Sequence, residues 1–349
     1  MSDNRYVVSL FNLFRKKEYR IGFVLAQRLI QLYKTIMAST RFRAYDPIFH
    51  LYGHPDYLLE VYNRFRTYDM VIFQKVFTAE ALELAKALRQ KGTRIVFDIN
   101  VNYFDNSSDR ITPEQKQRVF AFIREVDYII CPTLYLKEYI AQFFDNDKIF
   151  VIEENILNPG IRKRLDEPGL RDEPVRLVWS GALSKESDVM LIKGQIEKLA
   201  QERLIELYVY TGKVVDLPFD SKNVKVISKK FDPGTIFYDF LKGDIFIAPR
   251  DLEDAYNLGH AFTKIGFPMS AGLPVIASPV PSYENSPAIL IDNFGDQWSQ
   301  EIMKLYGDAS YFNRLSREGA DFCQRNYSKE KIAGDYVKFF DTLLKKQQH

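Results

Sequence analysis

Residues 264–278 read KIGFPMSAGLPVIAS. An apolar stretch of helical character runs into Gly272, and a Leu-Pro pair leads to the uncharged run Val275–Ser278. Gly272 stands where a helix ends on a residue of positive φ, a conformation glycine takes without a Cβ penalty. Pro274 cannot continue a helix. The run VIAS reads as a short strand buried on both faces, as in a parallel sheet. Pro268 falls inside the expected helix and predicts a kink.

Outward from this stretch the same alternation fills the chain. Strands are expected at 19–25, 69–74, 93–100, 127–133 and 148–154, with helices at 79–92, 113–126 and 134–144. The segment NILNPGIRKRLDEPGLRDEP (155–174) holds three prolines, two glycines and many charges, the composition of a linker. Strands then resume at 175–181, 205–212, 224–229 and 244–250, helices at 188–203 and 233–243, and closing helices over 321–346. This pattern predicts an α/β chain of two Rossmann-like, doubly wound domains facing a cleft. The expected boundaries are 1–155, a linker 156–174, a second domain 175–325, and a terminal helix 326–349 returning to the first domain. Ligands of such sheets sit at the carboxyl ends of the strands.

Composition narrows the function. The 349 residues are 46% hydrophobic and 27% charged, as in a folded protein, and a net charge of +2 predicts no nucleic-acid partner. One stretch departs from the balance: residues 13–43 carry Arg15, Lys16, Lys17, Arg20, Arg28, Lys34, Arg41 and Arg43 against Glu18. Either this is a basic, apolar face for an anionic membrane surface, or a helix packed on its own domain with a solvated basic side. No run is long enough to span a bilayer, and the amino-terminal charges follow the apolar part, the reverse of a signal peptide. Cys131 and Cys323 lie far apart and read as buried, reduced thiols of a cytoplasmic protein. The histidines and cysteines show no metal-ligand spacing. The acid–x–acid triplet Asp145–Asn146–Asp147 lies between a helix and a strand and reads as a turn.

Chemistry is expected after the strand DIFIAPR, in the loop DLEDAYNLGHAFTK (251–264). It leads from a strand's carboxyl end to a helix start, where backbone N–H groups and the dipole favour an anion. Gly259 would allow close backbone approach, Lys264 lies about one turn in, and His260 and Arg250 flank the loop.

The segment IAPRDLEDAYNLGHAFTKIGFPMSAGLPVIASPVPSYE (247–284) resembles the donor-binding segment of GT-B glycosyltransferases of the family-4 kind. ASTRFRAYDPI (38–48), MVIFQK (70–75), GTRIVFDINVNYF (92–104) and VRLVWSGALSKESD (175–188) resemble other parts of the same fold, and the resemblance spans most of 19–340. It implies retaining transfer of a sugar from a nucleotide sugar to a glycan or lipid-linked acceptor in bacterial surface-polysaccharide synthesis. No metal and no other cofactor is implied. The expected place is the cytoplasm, peripheral at the inner membrane. Lys264, Arg250 and His260 are the expected catalytic residues. Gly181, Lys185, Asn257, Gly259, Ser278 and Glu284 join Lys264 in holding the donor. Ser39, Arg41, Arg43, Gln74, Lys75, Asp98 and Asn100 face the acceptor, and His54 is a candidate acid–base or orienting residue.

The chain departs from the pattern. The family's two glutamates, one of which binds the ribose, are replaced by Gly259 and Phe267, leaving Glu284 as the substitute. The family's diphosphate-binding Arg and Lys are Ala182 and Ser187 here, with Lys185 shifted by two. A non-catalytic subunit that kept the fold is therefore an alternative. A nucleotide-sugar 2-epimerase needs more histidine than this chain has, and a two-domain dehydrogenase needs a G-x-G-x-x-G fingerprint that is absent.

Overall fold

The computed structural model describes residues 17–25, 38–105, 111–163, 174–182, 185 and 187–345. The chain forms two compact units: residues up to Glu154 together with Lys329 onward, and Asn155–Ser328.

The first unit is built on β1 (Tyr19–Leu25), β2 (Tyr57–Val61), β3 (Met70–Gln74), β4 (Arg94–Asp98), β5 (Tyr128–Cys131) and β6 (Ile149–Val151). All pair in parallel, in the order β2-β1-β3-β4-β5-β6. Central strands are apolar without alternation because helices cover both faces: Met70, Val71, Ile72 and Phe73 are all fully buried. The crossover helices Ala79–Gln90, Pro113–Ile123 and Leu134–Ile140 start on Thr78, Thr112 and Thr133, whose hydroxyls accept the N–H groups of Ala81, Gln115 and Leu136. The helix Lys329–Phe340 also belongs to this unit. Its Ile332, Tyr336, Phe339 and Phe340 share one core with Ile21, Phe23, Met70 and Ile72.

The second unit holds β7 (Val175–Ser180), β8 (Ile205–Thr211), β9 (Val224–Lys230), β10 (Ile245–Ala248), β11 (Val275–Ala277) and β12 (Ile289–Leu290). Its order is β12-β11-β10-β7-β8-β9, again all parallel. The chain runs outward from β7 through β9, then returns to the other side at β10. The switch point therefore lies between β7 and β10. Of the segment read as a linker, Asn155–Lys163 packs on this unit: Ile156 donates to Tyr327 O at 2.8 Å and Lys163 to Ala271 O at 2.8 Å. Residues 164–173 lie outside the described residues.

Several elements depart from the sequence reading. β2 is an additional strand at the sheet edge: its five residues are mostly apolar and buried, but so short an apolar run does not separate strand from helix by its period. The helix Gln297–Gly307 and the two-residue β12 are also additional, and the helix expected at 188–203 is interrupted between Met190 and Lys193. The basic stretch 13–43 is not one face: Tyr19–Leu25 is an interior strand and Arg43 is fully buried. Arg15, Lys16, Arg28 and Lys34 lie outside the described residues. Both cysteines are buried free thiols, and burial pushes each up to about 12.

Gly272 ends the helix Thr263–Ser270 with φ +79°. A Cβ there would also stand 2.8 Å from Ser316 Oγ and 3.1 Å from Lys163 N. Gly272→Ala is therefore expected to cost about 2–4 kcal/mol of stability, from the left-handed backbone and the crowding together. A urea-unfolding difference below about 1 kcal/mol would show that the turn can relax.

Candidate active site

Four strand ends on one side of the second sheet place the site. Ser180 ends β7 and Gly181 follows; its N–H donates to Tyr210 O at 3.0 Å. A Cβ on Gly181 would stand 2.6 Å from the Trp179 ring and 3.3 Å from Lys264 Nζ, so glycine here keeps both groups where they are. Lys264 lies in the first turn of Thr263–Ser270, and its ammonium donates to Ser180 O. Nζ stands 4.4 Å from the Trp179 ring centroid and 5.8 Å from that of Phe246. Lys264 thus sits at the switch point itself. Pro268 lies inside the same helix and has no N–H to give the Lys264 carbonyl.

Arg250 follows β10. Its N–H donates to Ser278 Oγ at 2.8 Å, its carbonyl accepts from Asn293 Nδ2 at 2.6 Å, and Ser278 Oγ donates to Asn293 Oδ1 at 2.7 Å. Its Nη1 donates to Asp188 Oδ2 at 2.8 Å, with both side chains 4% exposed. Lys185 is buried; its Nζ lies 3.4 Å from Asn257 Oδ1 and contacts His260 Nε2. With Lys185 charged, Nε2 is the accepting nitrogen and the imidazole proton sits on Nδ1. Asn257 is held by a bond from Nδ2 to Asp251 O at 3.0 Å, and the His260 carbonyl accepts from Ser282 Oγ at 2.6 Å.

Electrostatics follow from this crowding. Burial, then the positive charges of Arg250 and Lys185, hold Lys264 well below the usual lysine range, while Asp188 acts the other way. Among the described residues, Asp188 is the one carboxylate among the charges acting on Lys264. An anion arriving here would gain attraction from Lys185, Arg250 and Lys264 together in a medium less polar than water.

The structure brings Gly181, Lys185, Arg250, Asn257, His260, Lys264 and Ser278 together, but not all in the expected roles. Ser278 grips the Arg250 backbone. Gly259 has φ −79°, an ordinary helical value, and its N–H closes the short helix Ala255–Leu258. Glu284 is an exposed residue following the turn Pro281–Tyr283. Asp188, Asn293 and Ser282 were not singled out from the sequence. The acid at the start of a helix after the first strand of the unit was the available signal for Asp188; Asn293 joins only through the fold.

In the first unit, the carboxyl ends of β3 and β4 carry a second polar group. Gln74 and Asp98 are register partners and both are fully buried. Thr40 Oγ1 donates to Gln74 Oε1 at 2.9 Å, Arg43 Nε to Asp98 Oδ1 at 2.6 Å, and Arg43 Nη1 to Ile152 O at 2.9 Å. Arg41 and Arg43 lie within the continuous helical run Ala38–His50, in a wide π-helical turn. Arg43 is enclosed and paired, not presented at a surface. Lys75 has φ +55° and its N–H donates to Asp98 O at 2.9 Å; burial lowers its ammonium, against the charges of Glu154 and Asp98. Ser39 and Asn100 are partly exposed nearby in sequence. His54 lies before the amino end of β2, stacked on Tyr57 at 5.0 Å, so it is separated from the carboxyl ends. Asp145 caps its turn by accepting the Asp147 N–H at 3.1 Å.

No protein-family model matches the sequence, and no curated protein matches it. Solved structures do match in fold. HepE of Anabaena, in complex with UDP-glucose, is 11% identical with a TM-score of 0.62, over 93% of this chain and 100% of that one. A glycosyltransferase of Rickettsia africae is 11% identical with a TM-score of 0.60, over 95% and 100%. TarM of S. aureus, in complex with fondaparinux, alpha-GlcNAc-glycerol and UDP, is 14% identical with a TM-score of 0.55, over 78% and 55%. The chain thus spans about half the length of TarM and all of HepE. With two parallel six-stranded α/β units matching these structures, the chain has the GT-B fold.

Proposed function

We propose that the protein is a glycosyltransferase that moves a sugar from a nucleoside-diphosphate donor to a glycan or lipid-linked acceptor. The observation that carries this reading is the grouping of Lys185, Arg250 and Lys264 at the switch point of the second sheet, with Asp188 paired to Arg250. In glycosyl transfer the bond from the anomeric carbon to a phosphate oxygen breaks, and negative charge grows on the leaving diphosphate. Cations fixed in advance at that place stabilise the transition state more than the ground state. In this reading Lys185, Arg250 and Lys264 carry the charge that other transferases give to a divalent ion, so transfer is metal-independent. Retention of configuration, a role in surface-polysaccharide synthesis and a peripheral place at the inner membrane complete the proposal, on the strength of the resemblance of residues 247–284.

Of the similar structures, TarM was solved with UDP and HepE with UDP-glucose, which makes UDP the first nucleotide to try. A thermal-shift series with UDP, GDP, CDP, dTDP, ADP and CMP tests the proposal. A nucleotide at about 100 times its dissociation constant adds about 2.7 kcal/mol to apparent stability. The expected result is stabilisation by one diphosphate, undiminished by EDTA. No stabilisation by any of them would favour a non-catalytic protein of the same fold, consistent with Phe267 standing where the ribose-binding glutamate belongs.

A further inference from the structure

Arg250 is held by three partners. Its backbone is bound on both sides by Ser278 and Asn293, which follow β11 and β12, and its guanidinium by Asp188 at the start of the helix Ser187–Met190. Its own position follows β10. Fixing a long cationic side chain costs rotamer entropy, and here that ordering occurs on folding. The ion pair is not explained by stability alone, since a buried pair gains little over apolar residues of the same size. Nor does it complete the guanidinium. Arg250 Nε is buried with no partner at full hydrogen-bonding distance; the buried Tyr283 hydroxyl interacts with the guanidinium but is itself left unmatched. The unmatched edge belongs to a cation whose charge reaches both Lys264 and the buried Tyr283 hydroxyl.

We propose that Asp188 is a positioning residue of the donor site: it takes one edge of Arg250 and so sets the other edge to receive the diphosphate of a nucleoside-diphosphate donor. This rests on the function proposed above. It assigns Asp188 a role through Arg250, with no contact of its own to the ligand. Asn293 supports the same cation through the backbone.

Calorimetric titration with UDP, and separately with inorganic pyrophosphate, tests this on the full chain. The proteins are wild type, Asp188→Asn, Arg250→Gln and the double variant, each well below its unfolding temperature. Asp188→Asn and Arg250→Gln are each expected to weaken binding about tenfold or more, and the double variant to bind no more weakly than Arg250→Gln. A residue that only stabilised the fold would lower the unfolding temperature and leave the dissociation constants unchanged. Three results overturn the assignment: unchanged affinity in Asp188→Asn, tighter binding in it (Asp188 would then compete with the ligand), or effects that add in the double variant. Should Asp188→Asn leave Arg250 too poorly compensated to fold, the double variant, which lacks both charges, still decides. Weaker binding in it than in Arg250→Gln rejects the assignment. A wild type that binds neither UDP nor pyrophosphate rejects both this and the proposed function, whereas a wild type that binds alongside an insensitive Asp188→Asn rejects this alone.

Discussion

Lys264→Ala is expected to lower the rate of sugar transfer about a thousandfold and to abolish stabilisation by UDP. A unit charge pair at about 4 Å in an effective dielectric of about 20 is worth about 4 kcal/mol, and each 1.36 kcal/mol is about tenfold in rate. The lysine is placed to deliver that amount. Its ammonium lies against Ser180 O and the Trp179 ring at the sheet's switch point. Its proton is held weakly in the free protein because burial, Arg250 and Lys185 oppose its charge. A diphosphate relieves that opposition, so binding is expected to take up a proton and to weaken as pH rises. Arginine at 264 is a poor replacement, because a planar guanidinium does not fit where the ammonium meets a backbone carbonyl and a ring face. Steady-state kinetics of Lys264→Ala within about tenfold of wild type would remove Lys264 from the site.

Arg43→Ala is expected to destabilise the first unit by about 3–5 kcal/mol, enough to leave much of the protein insoluble. Arg43 and Asp98 are both fully buried, 2.6 Å apart, and removing the arginine strands a carboxylate in the interior. Replacing both by apolar residues of similar volume is expected to recover most of the loss. The pair also makes stability depend on pH. Burial raises the Asp98 carboxyl to about 6, with Arg43 acting against it. A folded-state value above the unfolded one means that the native protein binds the extra proton. The contribution of Asp98 to stability is therefore full below about pH 4 and is lost as pH rises through about 6, on the order of 3 kcal/mol in total. Urea titrations at pH 4.0 and 7.0 on wild type and Asp98→Asn isolate this effect. A stability difference between them that does not change with pH would place the Asp98 carboxyl in the ordinary range.

What could be read in the sequence followed a physical gradient. The parallel strands Met70–Gln74, Arg94–Asp98 and Val175–Ser180 are short, apolar and bounded by polar residues, and their pattern comes from burial on both faces. Gly272 was legible because only glycine suits its φ of +79°. Arg250 and His260 were legible as polar residues in and beside the loop after a strand, Lys264 as a cation one turn into the following helix, and Lys185 through the resemblance of residues 175–188. Arg43 and Asp98 were legible as polar residues but not as a buried pair, since they are 55 positions apart and only the packing of the helical run Ala38–His50 against the end of β4 brings them together. Asn293 escaped notice for the same reason: its two partners are fixed by β10 and β11, not by anything near it in the chain. β2 was missed because a five-residue apolar run carries no period that tells strand from helix.

The helix Lys329–Phe340 has a consequence for biosynthesis. It completes the core around Ile21, Phe23 and Met70, yet it is translated after the whole of the second unit. The unit begun first at the ribosome is therefore finished last. Until residues 329–345 have emerged, the apolar surface that Tyr336, Phe339 and Phe340 cover stays open to water and to other chains. The second unit, contiguous from Asn155 to Ser328, has no such wait. A nascent chain of this protein thus carries a complete second unit while the first is unfinished, and its stickiest moment comes just before residues 329–345 emerge.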